Sequence, residues 1–112
     1  IAEVCRLFND TGIVLLASFV SPTEELRSMA REIIGESDFV EIYVRASIEE
    51  CERRDVKGLY AKARRGEIAD FTGITAPYEP PQSPFMVVDT EGRSIEECVD
   101  EIFNRIRARV TL

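Results

Sequence analysis

No histidine occurs among the 112 residues of this chain. Ser-His-Asp and Cys-His nucleophilic chemistry and the usual zinc sites are thereby excluded from this stretch. Cysteine is scarce and scattered: Cys5, Cys51 and Cys98 are odd in number, widely spaced, and free of any CxxC-type ligand spacing. A disulfide framework and a metal centre are both poor readings, and buried reduced thiols of a cytoplasmic protein are expected instead. Long apolar runs are missing too. The longest, Gly12 to Val20, falls well short of the ~20 residues of a membrane helix, so no membrane partner is expected. No basic-then-apolar leader opens the chain, which argues against export. Positive charge is in deficit: a formal charge of −7 opposes non-specific nucleic-acid binding.

The length suits one compact domain. The chain begins at Ile1 without methionine, inside a running amphipathic pattern (Ile1, Val4, Cys5, Phe8); this reads as part of a domain with something missing upstream. Gly12 is placed to end that helix in a left-handed cap. The unbroken IVLLASFV run, Ile13 to Val20, predicts a strand of a parallel sheet covered on both faces. Ser21-Pro22-Thr23-Glu24 then reads as a capping box with Ser21 as N-cap, opening a helix that Gly35 stops. FVEIYV (Phe39 to Val44) is the next strand, and Ser47 to Glu50 opens a helix through Cys51. Phe85 to Val88 is a third, short strand, and Ser94 to Glu97 starts a last helix through Ile95, Val99, Ile102, Phe103 and Ile106. Strands alternating with helices predict a mostly parallel, three-layer α/β domain.

In such sheets ligands bind beyond the carboxyl ends of the strands. Ser21, Arg45 and Asp89-Thr90 leave strands there. Ser21 reads first as a simple N-cap like Ser47 and Ser94, and second as a hydroxyl at an anion site on a helix dipole. Between Arg53 and Arg65 stand six bases (Arg53, Arg54, Lys57, Lys62, Arg64, Arg65) against one acid, Asp55. Lys57, Ala61 and Arg64 share a helical stripe. A solvated helix face would interleave acids, so a clamp for phosphoryl groups is favoured. Phe71, in DFTG, is either a loop anchor or a ring that stacks on a flat ligand such as a nucleobase. Tyr60 and Tyr78 have weaker claims, and PYEPP (Pro77 to Pro81) reads as a stiff extended connection. The DFTG run is no protein-kinase magnesium motif, because Thr72 interrupts it and no HRD loop is present.

The ordered set FVSP (Phe19 to Pro22), AREIIG (Ala30 to Gly35), RDVKGLYAKARRGEIADFTGI (Arg54 to Ile74) and PYEPP resembles the adenylylsulfate (APS) kinases over essentially the whole chain. The resemblance implies a P-loop kinase-like α/β fold that transfers the γ-phosphate of ATP to the 3′-hydroxyl of adenosine 5′-phosphosulfate, giving PAPS for sulfate assimilation. It implies the C-terminal portion of one kinase domain over residues 1–112, with a lid at about 53–84. By the same resemblance Val20, Ser21 and Arg27 contact APS, Ser21 being the position of a proposed phosphoserine intermediate. Lys57 contacts APS and the phosphates, while Asp70 and Phe71 hold the APS adenine. Arg54 packs against the ATP adenine, with Thr90, Glu91 and Gly92 beside it. Ser21 and Lys57 are the catalytic candidates. ATP and Mg2+ are the implied cofactors, and a homodimer, with fusion to or association with ATP sulfurylase, the implied assembly. Departures are Thr23 for a common tyrosine, Leu26 for an aspartate, Arg45 for an acidic or amide residue, and Arg65 for alanine. The larger departure is the lack of any G-x-x-x-x-G-K-[ST] and of a DGD-x-x-R segment, so the N-terminal P-loop unit and the magnesium ligands are not in this sequence, and the segment alone is expected to be inactive. The rival readings are a non-catalytic kinase-like nucleotide-binding or regulatory domain attached to an ATP sulfurylase, and another small-molecule kinase of the same fold.

Overall fold

Serine and threonine caps set where three of the helices begin. Thr23 accepts from the Leu26 amide and starts α2, Glu24–Ile34. Ser47 accepts from the Glu50 amide and starts α3, Ile48–Arg54. Ser94 forms a full capping box with Glu97 and starts α5, Ile95–Ile106. Each cap satisfies an amide that the first helical turn leaves without a partner. The computed structural model describes residues 1–110 and adds α1 (Ala2–Asp10), β1 (Ile42–Arg45), α4 (Leu59–Arg64) and β2 (Met86–Asp89). In chain order the elements run α1, α2, β1, α3, α4, β2, α5.

β1 and β2 pair in parallel, with Ile42 opposite Met86 and Arg45 opposite Asp89. The α3–α4 segment and the loop after it form the crossover that parallel pairing requires. Val88 is fully buried and packs with Met86 and Cys98, and Ile42, Phe85 and Ile102 close around them. This small core joins the sheet to α5 and fixes where the carboxyl ends of both strands lie. At that end Arg45 and Asp89 form an ion pair at 2.8 Å, and the Thr90 amide donates to the Arg45 carbonyl at 3.0 Å. Gly12 takes φ +82°, and the Gly12 and Ile13 amides close the end of α1 on Asn9 and Phe8, as the left-handed cap predicts.

Four expectations are corrected. Ile13 to Val20 is not a strand, since it joins no ladder among the described residues and Leu16 is 85% exposed. An apolar run states a preference for a covered sheet position, but a strand exists only where a neighbour supplies its hydrogen bonds. Ser21 does not cap α2; it takes φ 41° and Thr23, two residues on, is the cap. The second strand begins at Ile42, not Phe39, and the last ends at Asp89, because pairing sets their limits. Lys57 lies in the turn between α3 and α4, off any helical stripe with Arg64. Of the three cysteines, Cys5 and Cys98 are buried and Cys51 is half-buried, all as free thiols.

Replacing the Ser94 hydroxyl leaves the first turn of α5 uncapped. Ser94→Ala is expected to lower stability by about 1 kcal/mol in urea unfolding, with the α/β circular dichroism of the folded state retained.

Candidate functional site

The turn that carries Val20 and Ser21 is held from inside. Arg27, on α2, is only 5% exposed. Its Nη1 donates to the Ser21 carbonyl at 2.6 Å, and its Nη2 donates to the Glu79 carbonyl at 2.6 Å and to the Glu24 carboxylate at 2.9 Å. The Glu79 amide donates to the Pro22 carbonyl at 2.8 Å, and the Glu79 carboxylate accepts from the Glu24 amide at 2.9 Å. PYEPP is therefore strapped to the Ser21 turn and the start of α2 by three bonds of Glu79, its single acid, one of them from Arg27. Ser21 is a non-glycine residue in the left-handed region, a conformation that persists where its surroundings impose it. The side chain of Val20 stands open to solvent. Hydrogen bonding to Arg27 pulls the Glu24 carboxyl below its usual range, against a smaller opposing effect of desolvation.

A second group forms beyond the strand ends. Arg54 ends α3, and its Nη1 donates to Thr90 Oγ1 and its Nη2 to the Thr90 carbonyl, each at 3.0 Å. Its Nε donates to Glu50 at 2.6 Å, four residues back. Thr90 Oγ1 in turn donates to the Arg45 carbonyl at 3.1 Å. Glu91 accepts from the Ser47 amide at 2.6 Å, and Gly92 takes φ +67° to turn the chain towards α5. Hydrogen bonds from the Ser47 side chain and amide hold the Glu91 carboxyl low. Arg54, Thr90, Glu91 and Gly92 are thus brought together. Their guanidinium plane, hydroxyl and turn form a platform of the kind that packs on a flat base.

The third group surrounds a cavity of about 310 Å³ lined by Cys51, Arg54, Asp55, Val56, Lys57, Leu59 and Tyr60. Asp55 shapes its floor: one carboxylate oxygen accepts from the Tyr60 amide at 2.9 Å and the other from the Ala61 amide at 3.0 Å, so it caps α4. The Tyr60 ring meets Phe71 edge-on, with centroids 4.9 Å apart. Burial, and then a hydrogen bond with Cys51, push the Tyr60 hydroxyl pKa up. The Phe71 carbonyl accepts from the amides of Ile74, Thr75 and Ala76, and Asp70 sits just before it at φ 52°. Gly73 takes φ +86°, a backbone conformation that L side chains rarely adopt, and a Cβ there would stand 2.9 Å from Ile48 Cδ1, so this loop lies close against α3.

Arg54 and Lys57 line one cavity, and Phe71 reaches it through Tyr60. No hydrogen bond or ion pair joins Ser21 or Arg27 to Lys57, Asp70 or Phe71 among the described residues. The basic island is less bare than its composition: Arg53 and Arg54 pair with Glu50, Arg64 with Glu52, and Arg65 with Glu67. The acids stand just outside the Arg53–Arg65 window, which is why a count within it missed them. Lys57 and Lys62 form no ion pair among the described residues. Sequence reasoning passed over Glu79, Glu50 and the Phe71 partner role of Tyr60. The i,i+4 spacing of Glu50 and Arg54 was the one available signal. Among the described residues no three His, Cys, Asp or Glu side chains converge to hold a metal ion.

Residues 1–89 match the family model described as adenylylsulphate kinase. The chain is 51% identical over 110 residues to the adenylyl-sulfate kinase of Bacteroides thetaiotaomicron, covering 98% of this chain and 55% of that protein. It is 57% identical over 106 residues to the same enzyme of Phocaeicola vulgatus, covering 95% and 52%. It spans about half the length of the curated relatives it matches. Among solved structures, the Mycobacterium tuberculosis APS kinase in complex with AMPPNP and APS superposes with a TM-score of 0.86 at 39% identity, covering 95% of this chain and 62% of that one. The α/β, P-loop kinase-like fold class follows from that likeness and from the parallel sheet.

Hydrogen bonds from Arg53 first and Arg54 second hold the Glu50 carboxyl at about 2, against an ordinary 4.5. A lowered carboxyl adds stability that is fully present above pH 4.5 and is lost as pH falls through about 2. Carbon-13 NMR should show Glu50 titrating near that low value, and Arg54→Ala should move its midpoint upward.

Proposed function

We propose, because the chain belongs to the adenylylsulfate kinase family, that the intact protein transfers the γ-phosphate of ATP to the 3′-hydroxyl of adenosine 5′-phosphosulfate. The supporting observation is the cavity lined by Arg54, Lys57 and Tyr60, with the Phe71 ring edge-on to Tyr60 behind it, inside the residues that match the family. In this reading the 3′-oxygen bonds to the γ-phosphorus as the bond from that phosphorus to the ADP oxygen breaks. Little covalent work is left to the protein in such a transfer; positioning and charge stabilisation dominate. Lys57, exposed and without an ion-pair partner among the described residues, offers its ammonium to the phosphoryl oxygens. Arg54 and the Thr90-Glu91-Gly92 turn receive the ATP adenine. Asp70 and Phe71 hold the APS adenine, and Val20 and Ser21 face the same substrate. Arg27, the third residue of that APS-contacting group, holds the Ser21 turn through Nη1 and the Glu79 carbonyl through Nη2. Transfer is direct, without a phosphoserine at Ser21.

Magnesium supplies charge neutralisation on the phosphates in such transfers. Among the described residues no three His, Cys, Asp or Glu side chains converge on a point where such an ion would sit. Residues 53–84 act as the lid of the site, and a cytoplasmic homodimer serving sulfate assimilation belongs to the same reading. No helix among the described residues is long and apolar enough to cross a membrane.

A coupled assay of PAPS formation on the intact protein, with ATP and APS, tests the activity. Nucleotide binding without PAPS formation would transfer the reading to a non-catalytic kinase-like domain, of the kind that regulates an attached ATP sulfurylase. Phe71→Ala is expected to weaken APS binding about tenfold or more with ATP binding little changed; equal losses would make Phe71 a loop anchor. Lys57→Ala is expected to lower turnover about a hundredfold or more while circular dichroism stays that of the wild type.

A further inference from the structure

We propose that Glu41 is a positioning residue for the Ser21 turn, acting through Arg27 on APS binding; this rests on the reading of Ser21 as a substrate contact. Glu41 precedes β1, and its carbonyl accepts from the Phe85 amide at 2.9 Å and the Met86 amide at 3.4 Å. Its backbone is therefore part of the sheet frame. Its side chain is 9% exposed and points at two guanidiniums. One carboxylate oxygen meets Arg31 Nη2 at 2.6 Å, and the other faces Arg27 Nε at 3.5 Å.

Among the described residues neither Arg27 Nε nor that second oxygen has a hydrogen-bond partner. The contact is one of charge against charge between two buried groups, each the natural complement of the other. Arg27 spends its remaining donors on the Ser21 and Glu79 carbonyls and on Glu24. The line of force thus runs from the sheet through Glu41 to Arg27 and then to a serine held at φ 41°. Glu24 is the only other carboxylate on this guanidinium among the described residues, and it is 35% exposed on the same helix one turn back. With Glu41 neutral, the attraction of Glu24 would draw the guanidinium along α2 towards solvent, and the Ser21 carbonyl would lose its donor. A buried charge deprived of its partner relocates or is solvated rather than staying bare.

The test is Glu41→Gln in the intact protein, which retains shape and removes charge. Hydrogen exchange at the Glu24 and Glu79 amides, both bonded within this cluster, is expected to accelerate about tenfold while α5 amides stay unchanged. KM for APS is expected to rise about tenfold, with KM for ATP and kcat within about twofold of wild type. Acceleration spread evenly over α5, or a fall in kcat with KM for APS unchanged, would reduce Glu41 to a general stabiliser and overturn the proposal. Arg31→Gln removes the other partner of Glu41 and should leave both amides and the APS KM as in wild type; an equal effect there also overturns it. Should Glu41→Gln not fold, Glu41→Asp retains the charge one methylene back and is expected to give a smaller acceleration confined to the same two amides, and spread over α5 counts against the proposal. If the wild-type protein forms no PAPS, the kinase reading fails on its own, and the amide comparison still decides the clamp.

Discussion

A buried guanidinium must find acceptors for its donors and a counter-charge for itself, and Arg27 finds them in four separate stretches of the chain. The Ser21 carbonyl, the Glu24 carboxylate, the Glu41 carboxylate and the Glu79 carbonyl all converge on it. Taking such a charge out of water costs several kcal/mol unless partners offset it, and here the Nη1 and Nη2 bonds do so while Nε faces the Glu41 carboxylate at 3.5 Å. The requirement ties the turn after the apolar run, the start of α2, the entrance to β1 and the PYEPP segment into one unit. The exposed pairs elsewhere, such as Arg6 with Glu3 or Arg65 with Glu67, are worth at most about 1 kcal/mol each and organise nothing beyond their own neighbourhood.

The strand ends obey a gentler rule. β1 and β2 stop together at Arg45 and Asp89, and the chain beyond them must satisfy backbone groups that the ladder no longer serves. Thr90 does so by donating to the Arg45 carbonyl and accepting from Arg54. A structural necessity at the sheet edge thereby presents a guanidinium and a hydroxyl at the place where open α/β sheets receive ligands. Around it the acids Glu50, Glu52 and Glu67 neutralise most of the basic island. The positive charge that remains beside the cavity belongs chiefly to Lys57.

Local chemistry was readable from the residues wherever one turn of chain sufficed to settle it. Ser47 and Ser94 cap their helices as their S-x-x-E spacing implies, and Gly35 ends α2 at φ +102°. Ser21 shows the limit of such reading: its own S-x-x-E matches, yet Arg27 holds its carbonyl in a left-handed turn and leaves capping to Thr23. The motif resemblance singled out Arg54 and Thr90 at positions 36 residues apart, which the structure joins by hydrogen bonds. It could not name Glu41, Glu50 or Glu79, because an acid reveals its role only through the base it meets.

The order of residues by itself determined the caps of α3 and α5, the glycine stop of α2, the parallel α/β class and the family, because these depend on spacing within a few residues or on a long, specific motif. Tertiary structure alone decided that Ile13 to Val20 joins no ladder among the described residues, that Lys57 stands in a turn, and that the basic island is largely neutralised. Each of these turns on whether a partner distant in sequence arrives within hydrogen-bond or ion-pair range. Local preference cannot specify that, since it carries no information about which distant group comes to stand opposite.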